Sequence, residues 1–297
     1  MGSSEYSLII LKNLISRFPV ALITTQPDKP IGRGKNIEPA LLKVFAEQIR
    51  IPVIQPKKIN EELFRNVLNS HSIDLIIVAA YGKILPKWLL EYPKYGCVNV
   101  HASLLPRWRG ASPIQAAILN GDQQTGATII KMDEGIDTGP ILSKKAVKID
   151  PTDTGQSLST KIAETGSELL IETLNEYLEG KIQPRPQNDL EATFAGLIKK
   201  EDGLLDFNQS AEALEKKIRA FIPWPICYFE WNSIRVRIFQ AEISNEKKLK
   251  GFQRGIHNSY PSIGTSTNDL VLKVIQPSGK NKIDGKAFLN GARNWAN

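Results

Sequence analysis

Cysteine, histidine and methionine are scarce in this chain: its 297 residues include two, three and two of them. Cys97 and Cys227 stand far apart, with no CxxC pair and no histidine nearby. That spacing excludes a disulfide framework and a zinc site, so no metal is expected, and both read as small buried residues of a reduced protein. No run of 18 apolar residues occurs, so no membrane-spanning helix is expected. No basic segment followed by an apolar stretch opens the chain, so no secretory leader is expected and the cytoplasm is the expected location. Internal repeats and low-complexity stretches are also missing.

What is present suits a globular protein of one large domain or two ordinary ones, with 41% hydrophobic and 23% charged residues. The net charge of +7 is uneven: residues 196–297 hold 16 Lys and Arg against 10 Asp and Glu, and the first 195 residues are nearly neutral. A basic second segment suits a polyanionic partner, although a moderately basic domain often binds none.

Along the chain, apolar spacing predicts a helix over 5–18, capped by Ser3 or Ser4, and a strand over 20–25. The segment 25–35, with two prolines and two glycines, reads as a loop without regular structure. Further elements are expected as helices over 38–50 and 60–70, a short strand over 52–55, and a buried parallel strand over 74–79. Strands over 96–100, 127–132 and 140–148 and helices over 113–119 and 154–178 complete a doubly wound α/β pattern. Such a sheet normally opens with a strand feeding its first helix; here the helix follows Met1-Gly-Ser-Ser at once. The expectation is therefore that a central strand is missing and that the reading frame as given starts at an internal methionine. Residues 181–191, with Pro184 and Pro186, read as an extended polar linker. Beyond it a helix over 211–221 and strands over 227–231, 234–242 and 269–276 suggest a small β-barrel of the oligonucleotide-binding kind.

Chemistry concentrates between residues 99 and 139. Asn99 and His101 sit two apart at a strand end, so both side chains point to one side. Asp137 lies in a Gly-flanked loop after another strand and can reach the same mouth. An amide, an imidazole and a carboxylate in one cleft suit acyl transfer to an amine: two donors for an oxyanion, and a carboxylate favouring the charged ring. Taken alone, a histidine after a strand is more often a polar turn residue than a catalytic one. His71 and His257 have no partner motif and are assigned no chemistry.

The run Asn99-Val-His-Ala-Ser-Leu-Leu-Pro-Arg-Trp-Arg-Gly-Ala-Ser-Pro-Ile114, followed by Gly126-Ala-Thr-Ile-Ile-Lys-Met-Asp-Glu-Gly-Ile-Asp-Thr-Gly139, resembles the formyltetrahydrofolate-dependent formyltransferases. The likeness covers nearly the whole chain and is greatest to the branch that formylates methionyl-tRNA. It implies a Rossmann-like sheet, its first strand truncated, carrying catalysis over 1–180, a linker over 181–195 and an oligonucleotide-binding-like β-barrel over 196–297. It implies transfer of a formyl group from 10-formyltetrahydrofolate to methionine on initiator tRNA, with Asn99, His101 and Asp137 as the catalytic set. The folate site falls on Ser103, Leu104, Leu105 and Pro106, with Tyr81, Gly82 and Leu85 lining the pterin pocket, partly through backbone groups. Arg33 and Lys35, in Gly32-Arg-Gly-Lys35, resemble the loop that holds the acceptor stem; Lys216 and Lys217 are the tRNA candidates of the second domain. Arg107 and Arg109 are expected at the mouth or in solvent, Trp108 packed on the loop. A monomer that contacts no membrane completes the reading. The rivals are a relative acting on glycinamide ribonucleotide, an amino sugar or water, and a non-catalytic binding remnant lacking its first strand.

Overall fold

The strand Cys97–His101 is buried at all five positions and anchors the first half of the molecule in the computed structural model of this chain. The structure describes residues 1–31, 36–59 and 61–296, without the side chains of residues 30, 31, 36 and 61. Two units are formed: Met1–Pro113 with Gln124–Lys148 and Ser159–Gly196, and Ile114–Gln123 with Ile149–Leu158 and Leu197–Asn297.

In the first unit, Cys97–His101 pairs in parallel with Ile76–Val78 and antiparallel with Gln124–Lys131, which pairs antiparallel with Ile141–Lys148. The sheet is thus mixed, and Asn99 and His101 leave the same face at the carboxyl end of a strand paired on both edges. Ser4 caps the Glu5–Leu14 helix, which buries Tyr6, Ile10, Leu11 and Leu14. The 25–35 stretch does contain regular structure: Lys29–Ile31 pairs antiparallel with Asn36–Glu38. A two-stranded ribbon has free edges, which is where a strand tolerates a residue such as Pro30 that has no N–H.

A place for one more strand stands open. Among the described residues Ile23–Thr24 pairs only with Val53–Ile54, and this ladder does not join the one that begins at Ile76–Val78. Met1 and Gly2 bridge them through the backbone: Gly2 N–H donates to Thr24 O (3.0 Å), Ala79 N–H to Met1 O (2.9 Å), and the Met1 amino group to Ile77 O (2.6 Å). A Cβ on Gly2 would lie 2.5 Å from the Ser7 Cβ and 2.8 Å from Ala79 O, so only glycine passes there. Beside this link is a cavity of about 560 Å³ whose walls include Leu11, Leu14, Ile23, Phe64 and Ile76. The Met1 amino group is buried at its edge, and that burial pushes its pKa down to about 6.

The second unit is an antiparallel sheet in the order Cys227–Trp231, Ile234–Ile243, Asp269–Pro277, Tyr260–Gly264, Arg254–His257, with Ile283–Asp284 added to Asp269–Pro277. The outer strands are short, as expected, but Ile234–Ile243 and Asp269–Pro277 run ten and nine residues, and among the described residues no pairing closes the ladder; the free edge of Cys227–Trp231 takes a bridge from Leu204 to Tyr228. Two hairpins turn through Asn232-Ser233 and Asn258-Ser259, all four with positive φ, as a two-residue turn between right-twisted strands requires. The core is aromatic: Trp295 packs edge-on against Phe229, Trp231 and Phe288, and its indole N–H donates to Gly255 O (2.8 Å). Both cysteines are buried and unpaired, and burial pushes each thiol up to about 12. Among the described residues no helix is long and apolar enough to cross a membrane.

Five apolar residues fused ahead of Met1 would move the charged amine out of the interior, extend both ladders and fill the cavity. The midpoint of thermal unfolding is expected to rise by roughly 5 °C or more, against no rise for a Ser/Asp-rich extension of equal length. Equal midpoints for the two fusions would show that the slot takes no strand.

Candidate active site

The mixed sheet brings Asn99, His101 and Asp137 to one mouth. Asn99 and His101 are 9% and 5% exposed. One oxygen of the Asp137 carboxylate faces His101 Nδ1 (3.4 Å) and accepts from the Asn99 amide (3.4 Å), while the other accepts the Gly110 N–H (2.8 Å). His101 Nε2 lies 3.0 Å from Trp108 O. Both ring nitrogens therefore face acceptor oxygens, and only the doubly protonated imidazole can donate to both. Burial pushes the Asp137 carboxyl up, but the His101 hydrogen bond and charge, the Gly110 N–H and the Arg109 charge outweigh it and hold the group below the ordinary carboxylate range. Among the described residues no group of three or more His, Cys, Asp and Glu side chains converges as a metal site.

The loop that follows His101 is held by hydroxyl groups. Ser103 Oγ donates to Arg107 O (2.5 Å), and Thr128 Oγ accepts from Leu105 N–H (3.1 Å) and donates to Ser103 O (2.6 Å). Ser103 and Leu105 are fully buried, so their side chains shape the loop from behind; Leu104 and Pro106 are partly exposed. Tyr81 and Leu85 are also buried, packed with Phe64, Leu68 and Leu89 in the core. What their loop can offer a ligand is backbone and the φ-positive Gly82. Among the described residues the N–H groups of 82–85 have no hydrogen-bond partner, which fits the polar edge of a flat heterocycle.

Arg109 is not at the mouth. It is 3% exposed and donates from Nε and Nη2 to Gln187 Oε1 (3.1 and 2.9 Å) and from Nη2 to Asp189 Oδ1 (2.8 Å). A buried guanidinium requires such partners, and they come from residues that read as a linker. Residues just beyond them lie along the loop that follows His101: Arg109–Gly110 pairs in parallel with Phe194–Ala195, and Trp108 N–H donates to Thr193 Oγ (2.9 Å). Trp108 packs under the Arg107 guanidinium, 4.5 Å from the ring centre. Sequence reasoning gave no role to Thr128, although it lies in the 126–139 run, nor to Gln187 and Thr193, which lie in no motif.

Of the tRNA candidates, Arg33 and Lys35 lie outside the described residues. The base of their loop is pinned by Asp28, which accepts from Lys43 Nζ (2.7 Å), Gln55 Nε2 (2.6 Å) and Ala40 N–H (3.0 Å); the Lys43 hydrogen bond, then those of Gln55 and Ala40, pull its carboxyl down to about 2. On the Ala211–Ala220 helix, Lys216 and Lys217 are partly covered, and Lys217 Nζ donates to Leu204 O (3.0 Å). Arg219 is engaged by Glu215 and by Asp153 O. Much of that helix's positive charge thus serves internal bonds.

Gly110 has φ +115°, and a Cβ there would stand 2.4 Å from Ala195 O. Gly110→Ala is expected to destabilise the chain by about 2 kcal/mol or more in urea unfolding, because backbone has to move. The depressed Asp137 pKa makes its ionised form a stabilising one. Its contribution is full above the unfolded carboxyl value, about 3.9, and is lost as pH falls through the lower folded value. Relative to Asp137→Asn, the wild type is expected to hold a constant advantage above about pH 5 that shrinks below pH 4 in acid-unfolding curves.

With the geometry in place, comparison with known proteins identifies the chain. A formyl transferase family model matches residues 6–174, and a model of the formyl transferase C-terminal domain matches 197–293. The chain is 42% identical to a methionyl-tRNA formyltransferase of Thermodesulfovibrio yellowstonii over 98% of its own length and 94% of the relative's. It is 40% identical to one of Pseudoalteromonas translucida over 99% and 93%. In fold it is similar to an N-formyltransferase of Helicobacter canadensis solved with folinic acid and dTDP-3-aminofucose (TM-score 0.66, 19% identity, 91% and 96% covered). Matched over most of its length by both family models and over nearly all of it by relatives at this identity, the chain belongs to the formyl transferases, among the methionyl-tRNA formyltransferases.

Proposed function

We propose that this chain transfers the formyl group of 10-formyltetrahydrofolate to the α-amine of methionine on initiator tRNA, for translation initiation, as a cytoplasmic monomer. The observation that carries this reading is the convergence of Asn99, His101 and Asp137 in a chain so similar to named methionyl-tRNA formyltransferases. Residues 1–180 would carry catalysis, 181–195 the link and 196–297 part of the grip on tRNA, with Arg33, Lys35, Lys216 and Lys217 as phosphate contacts. The folate supplies the formyl group, and its nitrogen takes up a proton as the C–N bond breaks. The methionyl amine attacks the formyl carbon directly, so no nucleophilic side chain is required. Asn99 donates its amide N–H to the oxygen that becomes negative. His101 supplies the second hydrogen bond once that oxygen displaces the Trp108 carbonyl from Nε2. Asp137 faces the ring and, as a carboxylate, takes up the proton that the attacking amine gives up and relays it to the leaving nitrogen. The 103–106 loop and the backbone of 82–85 hold the folate.

His101→Ala and Asp137→Ala are each expected to lower kcat by a factor on the order of 10² to 10⁴ while leaving Met-tRNA binding within a few-fold. Wild-type turnover in either variant refutes the role assignment. Formylation of Met-tRNA, assayed beside glycinamide ribonucleotide and an amino sugar, decides the acceptor; faster turnover of a small amine would replace it.

A further inference from the structure

Asp137 adopts a left-handed backbone conformation, φ +54°, which a residue with a Cβ holds only when its surroundings impose it. One side of its loop is tied by Asp133, whose Oδ1 accepts from Gly135 N–H (3.1 Å) and Thr138 Oγ (2.6 Å). The other side is tied by one amide from outside the loop. Gln187 Nε2 donates to Asp137 O (2.8 Å) and Gly139 O (2.7 Å), and its Oε1 accepts twice from the buried Arg109. All four hydrogen-bonding capacities of this side chain are in use. The amide thereby spans two loops. One carries Asp137; the other carries the Gly110 N–H that binds the Asp137 carboxylate and the Trp108 carbonyl that faces His101. Gln187 belongs to 175–196, a stretch that neither family model covers.

We propose that Gln187 is a positioning residue for formyl transfer: it sets the separation of the Asp137 and Trp108–Gly110 loops and so aims the Asp137 carboxylate at His101. This rests on the catalytic role of Asp137 given above. An amide is required. A carboxylate at 187 keeps the acceptor for Arg109 but has no donor for the two carbonyls, and an aliphatic side chain keeps neither.

The test is steady-state kinetics of Gln187→Leu and Gln187→Glu in the full chain, alone and combined with Asp137→Ala. Each single variant is expected to lose about 10- to 100-fold in kcat, with KM for Met-tRNA and for the formyl donor within about threefold of wild type. Should Gln187→Leu fail to fold, Gln187→Glu carries the same expectation with Arg109 still partnered. In the Asp137→Ala background neither change at 187 is expected to lower kcat further, since the group it aims is gone. Wild-type kcat in Gln187→Glu, or the same fold loss with and without Asp137, overturns the proposal. If Asp137→Ala itself keeps wild-type turnover, the functional reading fails first, and the two failures are thus distinguished.

Discussion

A carboxylate drawn out of water between an imidazole and a backbone N–H is the interaction on which the first unit's active site depends. Burial by itself pushes the Asp137 carboxyl up, and the donors His101, Asn99 and Gly110 oppose that. Bringing a backbone N–H to the carboxylate fixes much else. Gly110 must come within reach of Ala195 O, so it can carry no side chain. The 109–110 strand needs a partner, and 194–195 supplies it. Arg109, buried by that pairing, needs acceptors, and Gln187 and Asp189 supply them. Each requirement follows from satisfying a polar group that the previous one buried.

The open slot in the first sheet bears on stability more directly than on the site. Ile76–Val78 lies between the slot and Cys97–His101, and the Cys97–His101 strand is paired on both edges. Asn99 and His101 are therefore held by hydrogen bonds that do not depend on the slot. The slot's cost falls instead on Met1, whose amino group is buried against Ile77 O, and on the apolar walls around the cavity.

Long apolar strands and capped helices were legible because their patterns are local. Cys227–Trp231 was read to the residue, and Gly155–Leu178 nearly so. Arg254–His257 and Tyr260–Gly264 were not, because the turn between them is Asn258-Ser259 rather than a Gly-bearing pair, and Pro261 argues against a strand. Arg109 was expected in the open because arginine usually is; its burial follows from contacts 78 and 80 residues away, which no local pattern encodes. Tyr81 and Leu85 belong to a loop expected at a ligand, and their side chains turn into the core behind it.

By itself the sequence determined which residue types stand at the carboxyl ends of the strands, since period-two alternation places Asn99 and His101 on one side, and it determined the family through motifs that are contiguous in the chain. Only the tertiary structure decided that residues 185–195, without periodicity, lie along the loop that follows His101, and that one glutamine spans the two loops flanking Asp137. The reason is physical: local propensity acts over a few residues, whereas the partner of a buried polar group is whatever donor or acceptor the folded chain brings within 3 Å of it.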